Sequence, residues 1–311
     1  MNRIRMGNNM NKLASLFLFS VMVGVTGAQE FIPLWPTGQM PNSKGMVLEY
    51  RESRQRITQV ANPGIYTFFP SNEENHGAGV LICPPGGYAK LTYVLAGEQF
   101  AKWLNTLGIQ AYVLIHRLPT SPDLVEREKG PLQDAQRAMK IIRSHADQWA
   151  LDLNRVGVMG ASAGGHLAAT LGTQSEDISL INDAYDQYRF APNFMVLISP
   201  VITMGKWTHA GSRDNFLGSS PSEALLKQYS AELHVTTYTP PTFLVHAQDD
   251  PVVPPLNSIL FYQAMLEHQV PGTLHIFPQG QHSIALRNNP GSANQWTILC
   301  EQWFKEIDIL K

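Results

Sequence analysis

Residues 154–170, NRVGVMGASAGGHLAAT, decide how this chain folds. Val156, Val158 and Met159 suit a buried strand, and the small residues Gly165-His166-Leu167-Ala168-Ala169 suit a closely packed helix. Between them lies Gly160-Ala161-Ser162-Ala163-Gly164, of the form Gly-x-Ser-x-Gly. A turn this sharp forces the serine into strained backbone angles, and a Cβ two residues to either side would collide with its neighbours. The serine hydroxyl is then lifted above the sheet, at a helix N-terminus where developing negative charge is favoured. A glycine-rich turn with an incidental serine shows the same pattern. The reading therefore depends on finding a base and an acid downstream.

Outward from this stretch, strands and helices alternate. Residues 78–83 (AGVLIC) form a short apolar run, followed by Pro84-Pro85-Gly86-Gly87-Tyr88. Residues 98–107 have helical spacing, 110–115 read as a strand ending in His116-Arg117-Leu118-Pro119, and 131–149 read as one long amphipathic helix. Further strands are expected at 193–202, 241–245 and 274–277, and helices at 257–268 and 292–309. Upstream, 31–45 reads as an extended arm, and 47–60 and 65–70 as the first antiparallel strands. The stretch 203–229 shows no clear period and is expected to be an irregular cap over the site. Alternation of this kind implies an α/β fold, with a mostly parallel sheet and helices on both faces. No linker divides residues 29–311, so a single domain is expected.

The 311 residues carry a net charge of −2, and only 15% are charged, so nothing suggests a nucleic-acid partner. Arg3, Arg5 and Lys12 precede an apolar run at 13–25, and Thr26-Gly27-Ala28 offers small residues for cleavage before Gln29. Residues 1–28 thus read as a signal peptide of an exported protein, periplasmic or secreted. The run is too short for a comfortable membrane span, so stable insertion is not expected. The two cysteines, Cys83 and Cys300, read as separate buried thiols. No metal site is expected, because the histidines are scattered and no pair of them at helical spacing joins a carboxylate cluster. No phosphate-cradling or dinucleotide loop is present, so no cofactor is expected.

A serine hydroxyl needs a base to take its proton, and the base needs a third group to hold its tautomer. In such sheets, ligands lie beyond the carboxyl ends of the strands. Two loops there supply candidates: His246-Ala247-Gln248-Asp249-Asp250-Pro251-Val252-Val253-Pro254, and Pro278-Gln279-Gly280-Gln281-His282-Ser283. Of the ten histidines, only His282 follows the last strand in a glycine-preceded loop. The acid is Asp249 or Asp250. The amide after the nucleophile, on Ala163, is one donor for a developing oxyanion. A second comes from the loop after residues 78–83, where Pro85 has no N–H but Gly86 and Gly87 do; Gly87 is the first choice. Tyr88, Trp207 and His209 are candidate substrate contacts, the last two because 203–216 (TMGKWTHAGSRDNF) precedes the acid loop. An aromatic face beside a hydrogen-bonding group suits a sugar ring.

The segments CPPGGYAKL, HRLP, GASAGGHLA, HAQDDPVVP and GQHSIAL together resemble the α/β-hydrolase esterases that remove acetyl groups from xylan and related polysaccharides. The likeness extends to IPLWPTGQMPNSKG and NFLGSSPSEALLKQYSAE, and so covers most of residues 29–311. The resemblance implies that the acid is Asp250 rather than Asp249, that the base is His282, and that an acylated carbohydrate is the substrate. Where the family carries a longer glycine run, this chain has Pro85. The same triad order also admits a prolyl-oligopeptidase-type peptidase, although residues 29–311 leave no room for the large extra domain such enzymes carry. A feruloyl esterase and an inactive carbohydrate-binding relative remain as alternatives.

Overall fold

The computed structural model describes residues 29–310 apart from Ser283, so the expected signal peptide lies outside the described residues. Among the described residues there are ten strands: β1 (Phe31–Pro33), β2 (Arg51–Ser53), β3 (Arg56–Gln59), β4 (Gly64–Phe68), β5 (Ala78–Cys83), β6 (Ile109–Ile115), β7 (Val156–Ala161), β8 (Met195–Ile198), β9 (Thr242–Ala247) and β10 (Gly272–Phe277). The helices are α1 (Gln99–Thr106), α2 (Lys129–Ser144), α3 (Ala146–Trp149), α4 (Ala163–Thr173), α5 (Ala210–Leu217), α6 (Glu223–Gln228), α7 (Leu256–Glu267) and α8 (Trp296–Glu306).

Eight strands form one sheet in the order β1-β4-β6-β5-β7-β8-β9-β10, while β2 and β3 form a separate hairpin. β4 is antiparallel to both β1 and β6, and every pair from β6 through β10 is parallel. This is the α/β-hydrolase fold. The central strands are apolar on both faces, as strands covered on both sides must be. In β5, Leu81 and Cys83 join a core shared with Ala138 and Met139 of α2, Leu167 of α4 and Phe261 of α7. Val80 and Ile82 point the other way, into a core shared with Phe100 of α1 and Cys300 and Phe304 of α8. The two thiols are free and buried, one in each core.

Two expectations are corrected. The single helix expected over 131–149 is two, because Ser144 Oγ donates to the Ile141 carbonyl (2.7 Å) and His145 Nδ1 sits 2.8 Å from the same oxygen. Local side-chain bonds to a carbonyl compete with continuation of the helical ladder. The stretch 203–229 is not irregular throughout, since it holds α5 and α6. Both start at side-chain caps: His209 Nδ1 accepts from the Ser212 amide (3.2 Å), and Ser222 Oγ from the Leu225 amide (3.2 Å). Capping and tertiary contacts, rather than an apolar period, hold them.

The parallel strands bring four loops to one edge of the sheet. Those after β5 and β7 are neighbours, with Cys83 paired to Gly160, and those after β9 and β10 are neighbours, with Ala247 paired to Phe277. Residues far apart in sequence meet there.

Candidate active site

Ser162 sits between β7 and α4 with φ 54° and ψ −122°, on the side of the backbone map that L-residues seldom occupy. The conformation is held by the surrounding backbone. The Ser162 amide donates to the Ile198 carbonyl (3.0 Å), and the Ser162 carbonyl accepts from the amides of His166 (3.1 Å) and Val201 (3.0 Å). Two glycines make the turn possible. A Cβ on Gly160 would lie 2.1 Å from the Gly164 carbonyl oxygen, and one on Gly164 would lie 2.1 Å from that of Cys83. The second approach presses the first turn of α4 against the loop after β5.

Ser162 Oγ lies 2.8 Å from His282 Nε2, and His282 Nδ1 lies 2.8 Å from Asp250 Oδ2. A carboxylate can only accept, so the Nδ1 proton faces Asp250 and Nε2 is bare toward the serine hydroxyl. That arrangement can draw the hydroxyl proton onto the imidazole. The Asp250 side chain is fully buried, and Oδ1 accepts from the amides of Val252 (2.8 Å) and Val253 (2.9 Å). His246 Nε2 lies 3.3 Å from Oδ2 and 2.9 Å from the Val253 carbonyl, both acceptors. Its proton therefore sits on Nε2, and its Nδ1 accepts from Ser258 Oγ (2.8 Å). Burial alone would raise the Asp250 pKa. The bonds from His246, His282, Val253 and Val252 outweigh it and hold the carboxyl well below the usual carboxylate range.

Asp249 Oδ1 instead accepts from the Gln281 amide at 2.8 Å, fastening the loop that carries His282. Sequence reasoning missed both this fastening and the second histidine on Asp250. The signal for the latter was present, since His246 near the end of β9 stands four residues before Asp250 in the loop that follows.

Across the serine, the loop 84–90 folds as a tight turn in which Gly86 (φ 149°) and Gly87 (φ 62°) adopt backbone that disfavours side chains. Its carbonyls are engaged: Pro85 accepts from the Thr92 amide (2.8 Å), Gly86 from the Ala89 amide (3.1 Å) and Gly87 from Asn215 Nδ2 (2.8 Å). Among the described residues, the amides of Gly87 and Ala163 meet no hydrogen-bonding partner.

Tyr88, expected to touch substrate, is turned inward. It is 2% exposed, stacks on Phe216 (4.6 Å between ring centres) and shares a 2.7 Å hydrogen bond with His166 Nδ1. His166 is buried beneath the serine, with Nε2 2.7 Å from the Tyr229 carbonyl. Burial, only partly offset by that carbonyl, pushes its pKa down to about 4. The segment leading into α5 borders the site. Trp207 is 39% exposed, and its carbonyl accepts from Asn257 Nδ2 (2.8 Å), at the start of α7 beside the acid loop. His209 accepts at Nδ1 from the Ser212 amide, so its proton is on Nε2; burial and then the nearby His282 lower its pKa. Among the described residues, no group of three or more His, Cys, Asp and Glu side chains is placed to hold a metal ion.

Comparison with known proteins gives concordant results. The family described as BD-FAE matches residues 124–265. An endo-1,4-β-xylanase B of Butyrivibrio fibrisolvens is 31% identical over 249 residues, 78% of this chain and 39% of that one. An acetylxylan esterase of Xylanibacter ruminicola is 35% identical over 220 residues, 69% of this chain and 42% of that one. The chain thus spans about two fifths of the length of these curated relatives. The crystal structure of an acetyl ester-xyloside bifunctional hydrolase from Caldicellulosiruptor lactoaceticus superposes with a TM-score of 0.80 at 33% identity, over 93% of this chain and 100% of that one.

The acid's environment sets a stability test. A carboxyl depressed in the folded state stabilises fully above its unfolded value, about 3.9, and that contribution is lost as the pH falls toward the folded value. Asp250→Asn is therefore expected to lower the urea midpoint at pH 7, with the gap to wild type narrowing below about pH 4. Paired denaturation curves from neutral to acid pH measure this, and a gap that widens on acidification would contradict it.

Proposed function

Because the chain belongs to the α/β-hydrolase acetyl esterases, we propose that it is a serine carboxylesterase that removes acetyl groups from xylan and its oligosaccharides. The observation that carries this reading is the pair of 2.8 Å hydrogen bonds joining Ser162 to His282 and His282 to Asp250. In the proposed mechanism, His282 Nε2 takes the hydroxyl proton as Ser162 Oγ attacks the ester carbonyl. Asp250 holds the ring and balances the positive charge that forms on it. The amides of Gly87 and Ala163, with Gly86 beside them, receive the oxyanion. His282 then protonates the departing sugar oxygen, leaving acetate esterified to Ser162. Water gives its proton to the same nitrogen as it attacks the acyl carbon. That proton then passes from Nε2 to Ser162 Oγ as the acyl–oxygen bond breaks, releasing acetic acid and restoring the serine hydroxyl.

Ser162→Ala removes the nucleophile and little volume. It is expected to fold normally and to lose about 10⁴- to 10⁶-fold in kcat. Acetate release from acetylated xylan by the purified variant, at a rate near that of wild type, would refute the serine mechanism.

The sugar assignment rests on the segment 203–229, read as a cap, and on Trp207 and His209 within it as substrate contacts. Contacts to the sugar hold the ester in attacking geometry, whereas a small aryl acetate does not use them. Trp207→Ala is expected to reduce kcat/KM on acetylated xylo-oligosaccharides at least about tenfold more than on 4-nitrophenyl acetate. Equal losses on the two substrates would count against the sugar contact.

Residues 1–28 are read as a leader that directs export, leaving a single catalytic domain from Gln29 onward. Intact-mass measurement of the protein recovered outside the cytoplasm is expected to give a chain starting at or near Gln29. An exported chain that retains residues 13–25 would refute the leader.

A further inference from the structure

Gly87 has no side chain to hold it, and nothing fills the space where one would be: the nearest atom to an added Cβ is Ser212 Oγ, at 3.8 Å. Its φ of 62° is one that glycine leaves as readily as it enters. The direction of its amide must therefore be set by what grips the peptide groups on either side. On the N-terminal side, the Gly86 carbonyl is held by the Ala89 amide at 3.1 Å, within the same turn. On the C-terminal side, the Gly87 carbonyl is held by Asn215 Nδ2 at 2.8 Å, from a residue 128 positions away in the last turn of α5.

Asn215 is itself fixed. Its main-chain carbonyl, exposed by the end of the helix at Gly218, accepts from Arg127 Nη2 at 2.7 Å. Phe216, the next residue, is buried against Tyr88, which follows Gly87. The helix thus touches the turn through a polar contact at Gly87 and an apolar one at Tyr88.

We infer that Asn215 is a positioning residue of the oxyanion hole: it fixes the Gly87–Tyr88 peptide, and with the Gly86 carbonyl held on the other side of the Gly87 hinge this keeps the Gly87 amide aimed at the acyl oxygen of Ser162-bound substrate. The inference rests on the esterase reading and extends it. The segment that borders the substrate also sets the geometry of the charge-stabilising donor. If only one of the two peptide planes that meet at Gly87 is held, the glycine between them lets the turn swing, and a donor that must be reoriented during reaction loses most of its value. The grip is specific to a donor. An aspartate at position 215 has the same shape but presents an acceptor to the Gly87 carbonyl, whereas an alanine presents nothing.

Three proteins are compared: wild type, Asn215→Asp and Asn215→Ala. With 4-nitrophenyl acetate, both variants are expected to lose about 10- to 100-fold in kcat, less than the roughly 10²- to 10³-fold cost of deleting a donor outright. kcat/KM should fall by a similar factor, because the lost interaction exists only in the transition state. Affinity for phenylboronic acid, which forms a tetrahedral adduct on the serine, should fall in parallel while the melting temperature stays near that of wild type. Unchanged kcat and boronate affinity in both variants would overturn the role of Asn215 and leave the esterase reading standing. A loss carried by KM alone, with boronate affinity intact, would overturn it equally. A wild-type protein that turns over no acetate ester would take down the esterase reading, and this inference with it.

Discussion

The site depends first on one backbone constraint, the strand-to-helix turn at Ser162. A non-glycine residue in such a conformation costs about 1–3 kcal/mol and persists only where its surroundings over-determine it. Here three main-chain hydrogen bonds grip the serine, through Ile198, His166 and Val201. Gly160 and Gly164 allow carbonyl groups to approach where any Cβ would block them. The same close approach brings the loop after β5 against the first turn of α4. One constraint therefore raises the hydroxyl and sets the neighbouring amides beside it.

The second determinant is a buried carboxylate with every lone pair engaged. Asp250 is removed from water, which by itself disfavours its charge, yet four donors surround it and keep it ionised. His246 and His282 approach the same oxygen, but their other ring nitrogens differ. That of His246 is tied to Ser258 in the core, and that of His282 reaches Ser162. One imidazole is a structural donor and the other is left free to move a proton. The difference comes entirely from the partner of the second nitrogen.

Much of this was legible in the sequence, for a local reason. β5, β7 and β9 are buried on both faces, so they read as unbroken apolar runs, and Ser162 and Asp250 lie within a few residues of their carboxyl ends. What escaped depends on tertiary contacts. α5 is held by its cap and by packing on the turn after β5, and α6 by its Ser222 cap and by Leu225 and Leu226 against the core. Tyr88 looks like a rim residue beside two glycines, but its backbone (φ 59°) turns the ring down onto Phe216 and His166. The break after α2 arises because Ser144 and His145 both reach the Ile141 carbonyl, a competition that apolar periodicity does not report.

The histidine poses a different problem from the serine and the acid. β10 is an edge strand and only partly buried, so its following loop cannot borrow rigidity from a packed sheet. Side chains supply it instead. Asp249 holds the Gln281 amide from the loop before it (2.8 Å), and Gly280 packs its backbone against Ala247, where an added Cβ would lie 2.8 Å from the alanine methyl. Beyond His282, Asn289 bonds both the amide and the carbonyl of Ala285, each at 2.8 Å, and Trp296 Nε1 donates to that carbonyl at 2.7 Å. The adjacent aspartates at 249 and 250 thus divide two tasks. Asp250 fixes the ring of the base, and Asp249 fixes the main chain that carries it. A base placed on a sheet edge needs both, because orienting an imidazole is of little use if its backbone is free to drift by the ångström that separates a hydrogen bond from none.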